Sequence, residues 1–241
     1  MKELQHLLST VRQAAGHYGM IEAGDRIAVG VSGGKDSMAL LLALTRMRAF
    51  YPIPYEIVAV SVDPGFPDHD DLFEPTRAYC ESLGVPYHVT KTEIAGIVFG
   101  ERKEKNPCSL CANLRRGALT DTAVSLGANK LALGHHLDDA VETFMMSLMI
   151  GGRVGGFSPV TVYEDRGLTV IRPLVYTRES EIRAVVKAEN VPVTESPCPE
   201  NGQTERTEMK RLLGDFDRAH RGLYTRILGA MERGEIDGWQ A

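Results

Sequence analysis

Four short apolar runs, at residues 26–31, 56–62, 86–89 and 130–134, alternate with stretches of helical spacing. Runs of this length suit strands buried on both faces, as in a parallel sheet. The helical stretches begin at 38, cover 70–83 up to Gly84, cover 114–126 up to Gly127, and cover 138–150. Strand–helix alternation predicts an α/β fold, a parallel sheet with helices on both faces. Ligands in such folds sit at the carboxyl ends of the strands. Asp63, His135 and a glycine loop after the first run all fall at such ends. A helix at 3–19 precedes the first strand, with Leu4, Leu7, Leu8, Val11 and Ala15 at helical spacing. A polar stretch, 91–107, interrupts the alternation.

From 151 the pattern changes. A glycine-rich loop at 151–156 reads as a flexible lid. A hairpin is expected at 159–172, a helix at 179–188, and a Pro- and Gly-bearing segment at 192–202 that carries Cys198. Two helices near 204–213 and 216–233 follow. No internal repeat is visible.

With 241 residues the chain fits one large domain, or one domain with an appendage. A globule of this size buries about 70–75% of its unfolded surface, so it needs neither disulfide nor metal merely to fold. No run of some 18 apolar residues occurs, so no membrane span is expected. The first residues are amphipathic rather than an apolar signal core, and the four cysteines are few for a secreted scaffold. The expected location is the cytoplasm. A net charge of −5 argues against a protein that coats nucleic acid without specificity. It leaves room for a local basic patch.

The glycine loop reads Val31-Ser32-Gly33-Gly34-Lys35-Asp36-Ser37. Two adjacent glycines let the backbone turn tightly and bring N–H groups close to an anion. The start of the next helix adds N–H groups and partial positive charge. Ser32 and Ser37 add hydroxyls, and Lys35 a cation. The physical reading is a phosphate cradle; the plain alternative is a turn that starts a helix. It is neither a Walker loop nor a Gly-x-Gly-x-x-Gly loop.

A second motif, Gly134-His135-His136-Leu137-Asp138-Asp139, follows the fourth strand. Adjacent carboxylates near phosphates suit Mg²⁺, which prefers oxygen ligands. As helix-start residues Asp138 and Asp139 would also favour the helix dipole, and the two roles can coexist. His135 is either a phosphate contact or structural. Cys108 and Cys111 form a Cys-x-x-Cys, a spacing that can hold one metal or cluster from a helix start. Cys198 is a candidate third ligand. The alternative is three unrelated buried thiols. Cys80, inside an expected helix, reads as core.

Ser32-Gly33-Gly34-Lys35-Asp36-Ser37 resembles the PP-loop signature of the ATP-pyrophosphatase superfamily. The resemblance implies that residues 31–37 grip the pyrophosphate part of ATP together with Mg²⁺. Asp63, Gly134 and His135 join them as nucleotide-binding candidates, and Asp138 and Asp139 as the Mg²⁺ pair. Further motifs follow in one order: Cys108-x-x-Cys111, Leu114-Arg115-Arg116-Gly117, Gly134 to Asp139, Gly151-Gly152 and Ile171-Arg172-Pro173-Leu174. That order is similar to the tRNA 2-thiocytidine synthetases, iron–sulfur PP-loop enzymes that thiolate a cytidine of the anticodon loop. It covers roughly residues 20–215. At the third-ligand position this chain has Cys198-Pro199-Glu200-Asn201, with one cysteine where members of the family have a pair. Four cysteines are also too few for the zinc ribbons of the related 2-thiouridine enzymes.

The resemblance implies a [4Fe–4S] cluster on Cys108, Cys111 and Cys198, with one iron open to carry sulfur. It implies catalytic roles for Lys35, Asp36, Cys108 and Cys111. It also implies tRNA as partner, a cysteine desulfurase or another sulfur donor, and a homodimer as an assembly to test. The expected organisation is an N-terminal helix at 1–20, a PP-loop ATP-binding domain at 21–175 and a C-terminal helical region at 176–241. The expected reaction adenylates the C2 carbonyl of cytidine 32 and replaces its oxygen with sulfur. Arg115, Arg116, Arg153 and Arg172 are candidate phosphate contacts or plain surface charges. Three rivals stand beside this: a persulfide route without a cluster, a small-molecule acceptor, and a nucleotide-binding regulatory module without catalysis.

Overall fold

The computed structural model describes residues 2–67, 70–101, 107–195, 197–198 and 205–241. In chain order these form α1 (Lys2–His17), β1 (Arg26–Gly30), α2 (Lys35–Met47), β2 (Glu56–Asp63), α3 (Glu74–Ser82), β3 (Tyr87–Lys91) and α4 (Pro107–Ser125). There follow β4 (Lys130–Ala132), α5 (Leu137–Met149), β5 (Val160–Tyr163), β6 (Leu168–Ile171), α6 (Glu179–Ala188), α7 (Glu205–Ala219) and α8 (Leu223–Arg233).

The six strands form one sheet in the order β3-β2-β1-β4-β6-β5. Neighbours are parallel except β5 and β6, which form the expected hairpin. The expected α/β class and parallel sheet are therefore what the chain adopts. In β1, Ile27 and Val29 enter the larger core and Ala28 the smaller one behind the sheet. Both faces are buried, so the strand is apolar at successive positions rather than alternating. The larger core lies under α1, α2 and α6. Residues 38–44 of α2 are all buried there, each large side chain contributing roughly 1.5–3 kcal/mol. A helix apolar all round is what a fully enclosed position requires. On the other face α4 lays Leu119 and Ala123 over Ala28, Val58, Val60 and Leu131.

The chain leaves β1 toward β2 and β3 on one side, while β4, β6 and β5 lie on the other. This switch point puts the loop after β1 and the turn after β4 side by side, since Val29 and Ala132 are ladder partners.

Several local expectations are corrected. Helix α4 starts at Pro107, not near 114. Proline is tolerated at a helix start, where its missing N–H is not needed, so Cys108 and Cys111 sit on the helix's first turns. Part of the polar stretch 91–107 is helical: Gly96–Glu101 forms a π-helical turn, and Val98 within it is buried with Ile94 just before it. The last two helices divide at 220–222 rather than 214–215. Gly214 stays helical because Met209 and Leu213 are buried on that helix, and the break falls at Gly222, with φ 83°. The loop expected as a flexible lid is tied to the C-terminal tail. Gly156 N donates to Asp237 Oδ2 at 2.6 Å, and buried Trp239 donates its Nε1–H to Phe157 O at 2.9 Å. Among the described residues no helix is long and apolar enough to cross a membrane.

Candidate active site

A cavity of about 550 Å³ opens at the switch point, between the loop after β1, the turn after β4 and α4. One wall is apolar, with Val60, Leu119, Leu131 and Val170. The other is polar, with Ser32, Asp36, Ser37, His135, Asp139 and Arg172. A flat ring suits the first wall and phosphate groups suit the second.

The loop after β1 is built as the glycines require. Gly33 has φ +79°, a conformation that favours glycine. Ser37 Oγ accepts from Ser32 N at 3.1 Å and donates to Gly34 O at 2.9 Å, which fixes the turn. Helix α2 starts at Gly34 without a side-chain cap. Helix α5 differs: His136 Nδ1 accepts from Asp139 N, and Asp139 Oδ2 accepts from His136 N. An uncapped helix start beside a cavity leaves N–H groups for an anion.

Val31, Gly134 and the residues of the polar wall line the cavity; Gly33, Gly34, Lys35, Asp63 and Asp138 are not among its lining residues. Lys35 Nζ instead lies 2.9 Å from both Asp36 Oδ2 and Glu179 Oε1. Burial pulls its ammonium down, but the bonds to Glu179 and Asp36 outweigh this and hold it above the usual lysine range. Asp63 closes its own turn, accepting from Gly65 N at 2.9 Å.

The acidic pair expected to share Mg²⁺ is split. Asp138 is locked by Arg178 Nε, at 3.1 Å, and by Glu179 N, at 2.8 Å. Asp139 lines the cavity, and its Oδ1 accepts from Arg206 Nη1 at 3.1 Å. Among the described residues two buried carboxylate oxygens have no hydrogen-bond partner, Glu142 Oε1 and Asp36 Oδ1; only Asp36 lines the cavity, with His136 Nε2 standing 3.6 Å from that oxygen. Buried polar atoms are paired in the great majority of cases, so this oxygen calls for a cation or a donor. His135 Nδ1 and Arg172 Nε are buried and unpartnered in the same way. Burial, reinforced by the Arg172 guanidinium, pushes the His135 imidazole down to about 4, so the ring is neutral at pH 7. The Phe157 ring lies 5.1 Å from each group.

All four cysteines are thiols. Cys108 is exposed, while Cys111 and Cys198 are half-buried. Burial raises the Cys111 thiol, Arg115 pulls it down, and Cys198 and Cys108 raise it further, so each of these two lies within electrostatic reach of Cys111. The segment leading to Cys198 is docked on the glycine loop, where Thr194 N donates to Gly33 O at 2.9 Å. Among the described residues no three side chains of His, Cys, Asp or Glu form a metal-holding group, so the expected three-thiol set is not closed to ligating distance. Cys80 is fully buried, as core.

The PP-loop domain family model matches residues 3–214. The curated tRNA-cytidine(32) 2-sulfurtransferase of Syntrophotalea carbinolica is 41% identical over 223 residues, covering 91% of this chain and 85% of that protein. The chain belongs to the PP-loop family of the tRNA-cytidine(32) 2-sulfurtransferases. A second relative of that name, from Burkholderia mallei, is 39% identical and covers 95% of this chain and 70% of the relative. Among solved structures, the U34-tRNA thiolase NcsA from Methanococcus maripaludis with its [4Fe–4S] cluster superposes with TM-score 0.80. At 24% identity, over 96% of this chain and 78% of that one, it supports the fold.

Sequence reasoning missed Glu142, Arg178, Glu179 and Arg206, which surround the acidic motif from α5, α6 and α7. Their spacing carries no local signal, because each partner lies on another helix. Glu142 is buried, and burial, with Asp139 beside it, lifts its carboxyl from 4.5 to about 7. A raised acid contributes its full share below the unfolded value and loses it as pH climbs through the folded one. Glu142→Gln is therefore expected to leave stability unchanged at pH 4 and to raise it by up to about 3 kcal/mol above pH 7. Denaturant unfolding at pH 4 and pH 8 measures this; equal stability of both proteins at pH 8 contradicts it.

Proposed function

We propose that this protein is an ATP-dependent tRNA sulfurtransferase that replaces the C2 oxygen of cytidine 32 in the anticodon loop with sulfur. The observation that carries the reading is the docking of the Cys198 segment on the glycine loop through Thr194 and Gly33. It joins the cysteine chemistry to the phosphate cradle. The relatives named tRNA-cytidine(32) 2-sulfurtransferase support the substrate.

ATP lays its adenine against the apolar wall and its phosphates toward residues 32–37 and the open start of α2. The cytidine O2 attacks the α-phosphorus; the new P–O bond forms as the bond to pyrophosphate breaks. Backbone N–H groups of the loop stabilise the leaving charge. Lys35 adds its cation once it exchanges Glu179 for phosphate. Neutral His135 and Arg172 offer unspent hydrogen-bonding capacity to the oxygens around the reacting centre. Sulfide then bonds to C2 with its own electron pair, the C2–O bond breaks, AMP leaves with the oxygen, and the sulfide proton passes to solvent. The base has to be unpaired to enter, which an anticodon-loop nucleotide is.

Asp36, with Asp139 beside the cavity, would hold Mg²⁺, which supplies charge neutralisation to the phosphates. The free Oδ1 of Asp36 fits that role. The donor chemistry of Cys108, Cys111 and Cys198 fits a [4Fe–4S] cluster. When bound, such a cluster supplies an iron without a protein ligand for sulfur delivery.

The test is an anaerobic reaction of purified protein with unmodified tRNA, ATP, Mg²⁺ and sulfide. Nucleoside mass spectrometry is expected to find 2-thiocytidine, with AMP and pyrophosphate released in equal amounts. Pyrophosphate release without any thiolated nucleoside would sink the proposal. Iron at about four per chain separates the cluster from a persulfide route.

A further inference from the structure

A second cavity of about 270 Å³ lies beside the first, and the two share Arg116 and Tyr163. Helix α4 supplies one wall with Asn113, Arg116, Gly117 and Thr120, and the β5–β6 hairpin supplies Tyr163 and Arg166. None of these side chains is used in the phosphate cradle. The lining contains two guanidinium groups and no carboxylate. Gly117 leaves the α4 side open, since a Cβ there would meet nothing within 4 Å. Arg116 Nη2 donates to Asn113 Oδ1 at 2.7 Å, which orients its fork along α4. Arg166 is exposed and pairs with Asp121 and, through Nε at 3.9 Å, with Asp165. A chain of net charge −5 needs a concentrated basic patch to hold a polyanion. Arg115, Arg116 and Arg172 on the first cavity, whose lining also holds Asp36 and Asp139, and Arg166 on the second are the cations such a patch would use.

We propose that the second cavity holds the backbone phosphate and sugar of the nucleotide next to the one being modified, with Tyr163 at the boundary as a stacking surface. The proposal rests on the tRNA reading above and adds the path of the RNA, out of the reaction cavity across α4 toward the hairpin. Guanidinium forks match phosphate geometry, and aromatic rings stack unpaired bases.

The test is binding of the full-length protein to an anticodon stem–loop RNA across a salt series, read by fluorescence anisotropy. Arg166→Ala is expected to weaken binding roughly tenfold and to make the salt dependence about one unit shallower. Arg166→Lys keeps the slope. Asp121→Asn removes the nearer of the two carboxylates on Arg166, leaving Asp165 Oδ2 3.9 Å from its Nε, and tightens binding. An Arg166 that merely pins the hairpin to α4 predicts the same sign for Arg166→Ala and Asp121→Asn, and that result overturns the proposal. Loss of one exposed ion pair leaves the fold intact, since such pairs contribute about 0–1 kcal/mol. If wild-type protein binds and Arg166→Ala matches it in affinity and slope, the path falls and the tRNA reading survives. If wild-type protein does not bind the stem–loop at low salt, both fall.

Discussion

Cys111→Ser is expected to cut thiolation by roughly three orders of magnitude or more while ATP affinity stays within about twofold of wild type. The reasoning starts from donor chemistry. A serine oxygen is a hard, protonated ligand where iron–sulfur chemistry needs a soft thiolate. Groups that act as a unit lose nearly all activity on the first removal. Cys108→Ser and Cys198→Ser should therefore be as damaging as the triple substitution. ATP binding is spared because none of the three thiols lines the 550 Å³ cavity. The fold is spared because Cys108 is exposed, where such swaps change stability by about 0.5 kcal/mol, and because Cys111 and Cys198 are only half-buried, where a one-atom exchange opens no large cavity. Single-turnover thiolation and calorimetric ATP titration read the two effects separately. A Cys198→Ser protein that thiolates normally removes the third thiol from the chemistry. A large loss of ATP affinity in any of the three places the cysteines in the nucleotide site instead.

Gly134→Ala is expected to destabilise the protein by roughly 1–3 kcal/mol and to lower kcat/KM about a hundredfold. A Cβ at 134 would stand 3.0 Å from Ser37 N and 3.1 Å from the Asp36 carbonyl carbon. Both atoms are backbone in the first turn of α2, so no side-chain rotation relieves the contact. Relief requires the helix start or the turn after β4 to move, and these two elements carry the phosphate cradle and His135. Gly214→Ala is the control: it lies inside α7, and its Cβ would meet nothing within 4 Å. It should stabilise by about 0.5–1 kcal/mol, the usual gain of alanine over glycine in a helix interior. Thermal unfolding and steady-state kinetics on the two variants decide the matter. A Gly134→Ala protein with unaltered melting temperature and ATP affinity would mean that the close approach carries no constraint.

Features with short-range causes were legible in the residues. β1 and β2 are apolar at successive positions because a central parallel strand is buried on both faces. The turn at Gly33-Gly34 follows from glycine's backbone freedom, and the helix after it from its apolar run. The Cys-x-x-Cys was legible as a pair, although the helix expected from 114 begins at Pro107 and carries both cysteines. What the residues left open gathered where one side chain's role depends on a distant one. Asp138 looked equal to Asp139 as a cation ligand, until Arg178 and the Glu179 amide on α6 claimed it. Lys35 looked free for phosphate, and Glu179 holds it.

Local sequence thus determined the parallel sheet, the phosphate-binding turn and the cysteine pair, because backbone freedom and apolar periodicity act over a few residues. Tertiary structure decided which carboxylate keeps a free oxygen, which arginines share a cavity, and that Cys198 comes near Cys111. Those outcomes depend on packing between elements 40 to 90 positions apart, and a one-dimensional pattern carries no record of which partner arrives first in space.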